Sequence, residues 1–294
     1  MQGKVVVLTG GTSGIGEAAA LKLARMGARL VLVARDASRA EATLKRLQKV
    51  SPGGTHATAQ APAHTAHLAD LSLVAETQRV AREIAAAEPR IDVLINNAGL
   101  ICARRQVTAE GYELTLATNH LAYFVLTHGL LAGVLDSSPA RIVNTASEVH
   151  RGTQLDFSDL QSEHGYSGFA AYAKSKLANV LFTNELARRL SGSGVTANSL
   201  HPGVVSSRFG LPREGQGGDS SSARFLSAHG ISPEEGAETI VYLASAADTA
   251  KASGQYFNQC KAVAPSKEAQ DRALAKKLWE ESERLVGIEY EIKG

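Results

Sequence analysis

With 294 residues, 44% hydrophobic and 20% charged, the chain has globular composition and enough apolar material for a sizeable core, which excludes general disorder. Its 31 basic and 29 acidic residues give a formal net charge of +2 with no basic stripe, so no nucleic-acid partner is expected. Two cysteines without ligand-like spacing, and no apolar run of signal-peptide or spanning length, predict a cytoplasmic protein with no metal and no membrane span.

Short β-branched runs alternate with helical stretches from the start: KVVVLT, GIGEAAALKLARMG, ARLVLVA and ASRAEATLKRLQKV. The alternation continues through RIDVLINNAG, a helical segment around 115–135, ARIVNTAS, a helix over 170–190 and GVTANSLHPG. Continuous apolar strands separated by helices predict an α/β fold, a single-domain doubly wound (Rossmann) parallel sheet with helices on both faces. No linker divides residues 1–294, which read as one domain.

Residues 52–65 read as a loop and residues 206–230, rich in Gly and Ser, as a substrate lid. Beyond the lid, Ser232, Pro233 and Glu235 form a helix-start signal. A strand is expected near Gly254 to Phe257, and a closing amphipathic helix over 266–287 should pack its Leu278 and Leu285 face on the body.

The turn TGGTSGIG sets Gly10, Gly14 and Gly16 between the first strand and the first helix, where backbone N–H groups and the helix dipole can meet a pyrophosphate. The second strand closes at Ala34, where an acidic residue would hold a ribose diol, and Arg35 follows. An arginine there can pair with a 2′-phosphate, so NADP(H) is preferred to NAD(H), although Asp36 stands beside it.

Tyr172 and Lys176, four residues apart on a helix, are offset by about 40° and share a face. Bringing a phenol from a pKa of about 10 to about 7 takes roughly 4 kcal/mol. A cation about 4 Å away at an effective dielectric near 20 supplies about that much. Lys176 is therefore expected to acidify Tyr172, an arrangement that has a purpose only beside a redox cofactor.

In its glycine turn (Thr9, Gly10, Gly14, Ile15, Gly16), Asp70, the NNAG turn (Asn96 to Gly99) and HPGVVSS, the sequence resembles the short-chain dehydrogenase/reductase family over nearly its whole length. YAKSKLANVLFTNELARRL, ARD after the second strand and LWEESERL resemble its retinol dehydrogenase-like branch, which usually prefers NADP. The resemblance implies catalytic roles for Asn119, Ser147, Tyr172 and Lys176. It implies cofactor contacts from Gly10, Thr12, Ser13, Gly14, Ile15, Gly16, Arg35, Arg39, Asp70, Leu71, Asn97, Ala98, Gly99, Pro202, Gly203, Val205 and Ser207, and again from Tyr172 and Lys176. Relatives often pair through the helices that here hold Asn119 and Tyr172, so a homodimer, a homotetramer or a monomer is compatible with it.

By that chemistry Ser147 binds the oxygen of a small-molecule carbonyl or alcohol substrate, Tyr172 exchanges its proton, and Asn119 positions a proton-relaying water. Phe157, Leu160, Tyr166 and Phe169 between Ser147 and Tyr172, with Phe209, Leu211, Phe225 and Leu226 of the lid, suggest an apolar pocket for a lipophilic or aromatic ketone, aldehyde or alcohol, unless they merely anchor the loops. His150 and His164 are expected at the rim. The alternatives are an epimerase or dehydratase, which needs a larger C-terminal domain, and a non-enzymatic NADP(H)-binding sensor, against which the four filled catalytic positions argue.

Overall fold

In the computed structural model the apolar runs form strands β1 (Val5–Thr9), β2 (Arg29–Ala34), β3 (Thr65–Leu68), β4 (Val93–Asn96), β5 (Ala140–Thr145), β6 (Val195–His201), β7 (Tyr256–Asn258) and β8 (Lys261–Val263). They make one sheet in the order β3-β2-β1-β4-β5-β6-β7-β8, parallel except for the final β7–β8 pair. The structure describes residues 1–52, 63–205 and 230–290. Ser207, the four apolar lid residues and nearly all of the 52–65 loop therefore lie outside the described residues.

The connections are helices α1 (Gly14–Arg25), α2 (Ala37–Val50), α3 (Val74–Ala87), α4 (Leu114–Leu116), α5 (Ala122–Leu135), α6 (Gly168–Arg189), α7 (Pro233–Gly236), α8 (Glu238–Ser245) and α9 (Arg272–Val286). Both sheet faces are covered, and β1 shows why its apolar run is unbroken. Val6 and Leu8 pack with Leu23 of α1 and Ile240 of α8, whereas Val7 packs with Ile84 of α3 and Phe124 of α5. Ser232 caps α7 in a full capping box with Glu235.

The helical segment expected around 115–135 is interrupted: between α4 and α5 the chain makes one π-turn, Ala117–Leu121, which carries Asn119. α9 starts later than expected, at a cap formed by Asp271, and ends at Gly287 in the left-handed region. Its Leu278 and Trp279 are buried, with Leu285 only partly so. Trp279 stacks on Phe182 of α6 and meets Phe124 of α5 edge-on, so α9 lies across the two helices that flank the π-turn and the Tyr172 turn. Ser282 of α9 reaches the π-turn directly, at 2.8 Å from His120 Nε2.

Candidate active site

Strand order reverses between β1 and β4, and the residues singled out in the sequence follow the carboxyl ends of successive parallel strands. Across the sheet they run Asp70, Arg35, Gly10, Asn97, Ser147 and Pro202, one after each of β3, β2, β1, β4, β5 and β6. With strands about 4.8 Å apart, the five gaps make a row of roughly 24 Å along one edge of the sheet. A crevice of this kind, over a topological switch point, is where open α/β sheets bind extended ligands.

At the middle of the row, Gly10 has φ +70° and stands so close to the NNAG turn that a Cβ would lie 2.9 Å from Ala98 Cα. Thr9 Oγ1 accepts from the backbone N–H of Asn97 (2.9 Å) and Ala98 (3.0 Å), fastening β1 to β4 at the switch point. Ser13 precedes α1 without a side-chain cap bond, which leaves the helix N-terminus open to an anion. Ile15 and Val205 both approach Gly236, where a Cβ would be 2.8 and 2.7 Å from their methyl carbons, so the glycine turn and the chain after Pro202 form one wall.

At the β2 end, Asp36 is committed to α2: its carboxylate caps the helix by accepting from the Arg39 N–H at 2.8 Å. The Arg35 and Arg39 side chains are exposed, and among the described residues neither has an ion-pair partner. Asp70 Oδ1 accepts from the Ser72 N–H and hydroxyl at 3.0 and 2.8 Å, beside buried Leu71.

At the other end, α6 brings Tyr172 and Lys176 to one place, as their spacing predicted. Ser167 caps α6, setting Tyr172 in its first turns, and the Ser147 hydroxyl is hydrogen-bonded to the phenol. Lys176, 2% exposed, donates to the Thr145 carbonyl at 2.9 Å and has its ammonium 5.5 Å from the Tyr172 ring centre.

The electrostatics differ from the expectation. Burial pushes the Tyr172 phenol up to about 12, with the Ser147 hydrogen bond opposing it, and burial pushes Lys176 down to about 7. The protein alone therefore does not make an acidic tyrosine. Desolvation penalises the charged forms of both groups.

Asn119 is completely buried, and its amide is oriented by its bonds. Oδ1 accepts from Leu100 N–H (2.8 Å), while Nδ2 donates to the Leu100 carbonyl (2.9 Å) and to Ser175 Oγ (2.9 Å). Ser175 in turn donates to the Tyr172 carbonyl at 2.7 Å, tying the π-turn to α6. Gly99 lacks the side chain that would fill the space between these groups. A Cβ there would lie 3.3 Å from Asn119 Oδ1 and 3.6 Å from Lys176 Nζ, so any side chain at this position would press on both groups.

Several supporting residues beyond Asn96 of the NNAG turn were not picked out from the sequence. Asn96 Nδ2 donates to Asn144 Oδ1 (2.8 Å), Asn144 Nδ2 to Thr183 Oγ1 (2.9 Å), and Asn179 Nδ2 to the Thr145 carbonyl (3.3 Å), a buried polar ladder under the site. Asparagines inside the apolar strands LINN and RIVNT were its only signal. His150, expected at the rim, is fully buried, whereas His164 is exposed beside Asp159.

The residues between Ser147 and Tyr172 act chiefly as anchors. Leu160 joins the core, Phe157 lies under the Lys277 ammonium at 4.4 Å, and the Tyr166 hydroxyl bonds the Cys102 carbonyl and Glu113 at 3.2 Å each. Phe169 alone of the four is an exposed large apolar side chain.

This arrangement, a glycine-lined switch-point crevice with a partly buried tyrosine and a buried lysine at one end, belongs to a nucleotide-dependent oxidoreductase. A family model described as short chain dehydrogenase matches residues 4–214, and the chain belongs to that family. Human retinol dehydrogenase 13 is 41% identical over 98% of this chain and 86% of that protein, and mouse retinol dehydrogenase 14 is 39% identical over 98% and 87%. Within the family the chain falls in the retinol dehydrogenase-like branch. The crystal structure of an uncharacterised protein from Mycobacterium paratuberculosis superposes with a TM-score of 0.76 at 29% identity, covering 99% of this chain and 96% of that one. The NADP complex of Pseudomonas aeruginosa RhlG gives 0.65 at 25% identity, covering 94% and 97%. The protein is a nicotinamide-dependent oxidoreductase acting between CH–OH and C=O groups. Among the described residues no helix is long and apolar enough to cross a membrane.

Proposed function

We propose that the protein is an NADP(H)-dependent enzyme for lipophilic or aromatic aldehydes, ketones or the matching alcohols, with Tyr172 as the acid and base. The observation that carries this reading is the Ser147–Tyr172–Lys176 constellation at the end of the switch-point crevice. A bound nicotinamide dinucleotide supplies the hydride and, when oxidised, a positive ring charge.

The chain's own residues fit that group. The open N-terminus of α1 and the crowded turn at Gly10 suit a pyrophosphate, and Arg35 with Arg39 suits a 2′-phosphate. The capping role of Asp36 removes the carboxylate that would otherwise favour a free ribose diol, which supports NADP over NAD. Ser147 Oγ binds and orients the substrate oxygen, and the Tyr172 hydroxyl gives that oxygen a proton in reduction or takes one in oxidation. Lys176 and Asn119, which both lie next to Gly99, are the groups by which that proton is replaced.

An apolar substrate is supported by Phe169 and Val204, 64% and 52% exposed, the first on the opening turn of α6 and the second next to Gly203. It is supported also by the names of the relatives, whose substrate is a long apolar alcohol. The test is a panel of retinoid, aromatic, short aliphatic and sugar carbonyls, followed by loss of reduced-nicotinamide absorbance with NADPH and with NADH. The reading expects retinoid and aromatic carbonyls with NADPH to rank first. Preference for sugars, or equal rates with NADH, would overturn the substrate or the cofactor assignment respectively, and no turnover at all would favour a nucleotide-binding sensor.

A further inference from the structure

We propose that His150 is a positioning residue for Ser147, setting the direction of the serine hydroxyl through the serine's own carbonyl. The inference rests on the reading above, in which Ser147 orients the substrate oxygen.

Ser147 leaves β5 and opens a single 3-10 turn, Glu148–His150, so the path of that turn decides where its side chain points. His150 closes the turn twice over. Its backbone N–H donates to the Ser147 carbonyl at 3.2 Å, and its ring Nδ1 lies 2.7 Å from the same oxygen. A carbonyl only accepts, so Nδ1 carries the proton. The opposite ring nitrogen, Nε2, takes the Ser266 backbone N–H at 3.1 Å, which requires it to be bare. The two partners thus fix one neutral tautomer, and burial lowers the pKa of the ring, favouring that form.

Nothing else about the ring is free to move. It is fully buried and rests on Tyr256 with ring centres 4.8 Å apart, and the Tyr256 hydroxyl donates to Glu148 Oε2 at 3.0 Å. On the other side of the turn the Glu148 N–H is held by His201 Nδ1 at 3.2 Å. The turn that carries Ser147 is consequently held from two sides, by Ser266 after β8 through His150 and by His201 at the end of β6. Among the described residues the Ser147 hydroxyl has, besides its bond to Tyr172, a long 3.5 Å contact with the Val149 N–H. A rigid turn behind a weakly tethered hydroxyl is what keeps it aimed.

Two substitutions separate the two ring bonds. Asparagine is short enough to keep a donor near the Nδ1 position and loses Ser266; glutamine reaches the Nε2 position and releases the Ser147 carbonyl. His150→Gln is expected to lower kcat about tenfold or more with KM for NADPH within about threefold, because a displaced reacting contact costs rate rather than nucleotide affinity. His150→Asn should restore kcat to within about threefold of the parent. A role in stability alone would make both variants lose Tm with no such split in kcat, and that result overturns the proposal. Nitrogen-15 correlation spectra of the unaltered protein give a check that needs no variant: they should show His150 protonated at Nδ1, and a ring protonated at Nε2 contradicts the clamp. Ser147→Ala is measured alongside. If it is fully active, the functional reading fails; if it is impaired while His150→Gln matches the parent, only this inference fails.

Discussion

Lys176 reaches from α6 to the last residue of β5, its Nζ 2.9 Å from the Thr145 carbonyl, so α6 is moored to the sheet through a buried lysine. Burial brings this group down to about 7 from 10.5. The unfolded chain keeps the proton up to its higher pKa while the folded chain releases it near 7, so between these values stability rises with pH. Below that window the penalty of burying the ammonium is fully present. Lys176→Met is therefore expected to raise the urea midpoint of the nucleotide-free protein, relative to the parent, more at about pH 6 than at about pH 9. A difference of opposite sign would show that the ammonium is not paying a desolvation cost.

Arg35 and Arg39 stand exposed at the β2 end of the crevice while Asp36 is occupied by the α2 cap. Replacing both arginines with alanine should raise KM for NADPH by roughly 10- to 100-fold, the worth of charge-assisted bonds to a phosphate, and leave KM for NADH nearly unchanged. Initial rates with each nucleotide check this. Equal loss for both would move the phosphate site elsewhere.

Asn144 joins Asn96 to Thr183 inside the molecule, and all three are buried. Asn144→Ala leaves a donor on Asn96 unpaired, and should destabilise the protein by about 2 kcal/mol or more in denaturant unfolding. A loss below about 0.5 kcal/mol would mean the ladder contributes little net stability.

The glycine turn, the strand runs and the Tyr172–Lys176 spacing were legible because each is a local pattern with one physical meaning: a forced turn, two buried faces, a shared helix face. The π-turn around Asn119 was not, since ATNHL carries the same helix-forming signal as its neighbours, and the extra residue in the turn shows only through packing. β8 was missed because Lys261, Ala262 and Val263 are all exposed on a sheet edge and show no alternation. The tyrosine–lysine chemistry was half legible: spacing gave the shared place, but the depth of burial that reverses the expected pKa effect depends on α5, α6 and β5 closing together. His150 illustrates the same limit, because its partner Ser266 lies 116 residues away.

Tyr172→Phe is the most direct measurement, because it removes one oxygen from the partly buried group proposed at the reacting centre. NADPH binding, followed by nucleotide fluorescence, should be retained, while carbonyl-dependent NADPH oxidation should fall by at least about 100-fold. Turnover equal to the parent's, with binding intact, would contradict the assignment of Tyr172 as the group that moves the proton.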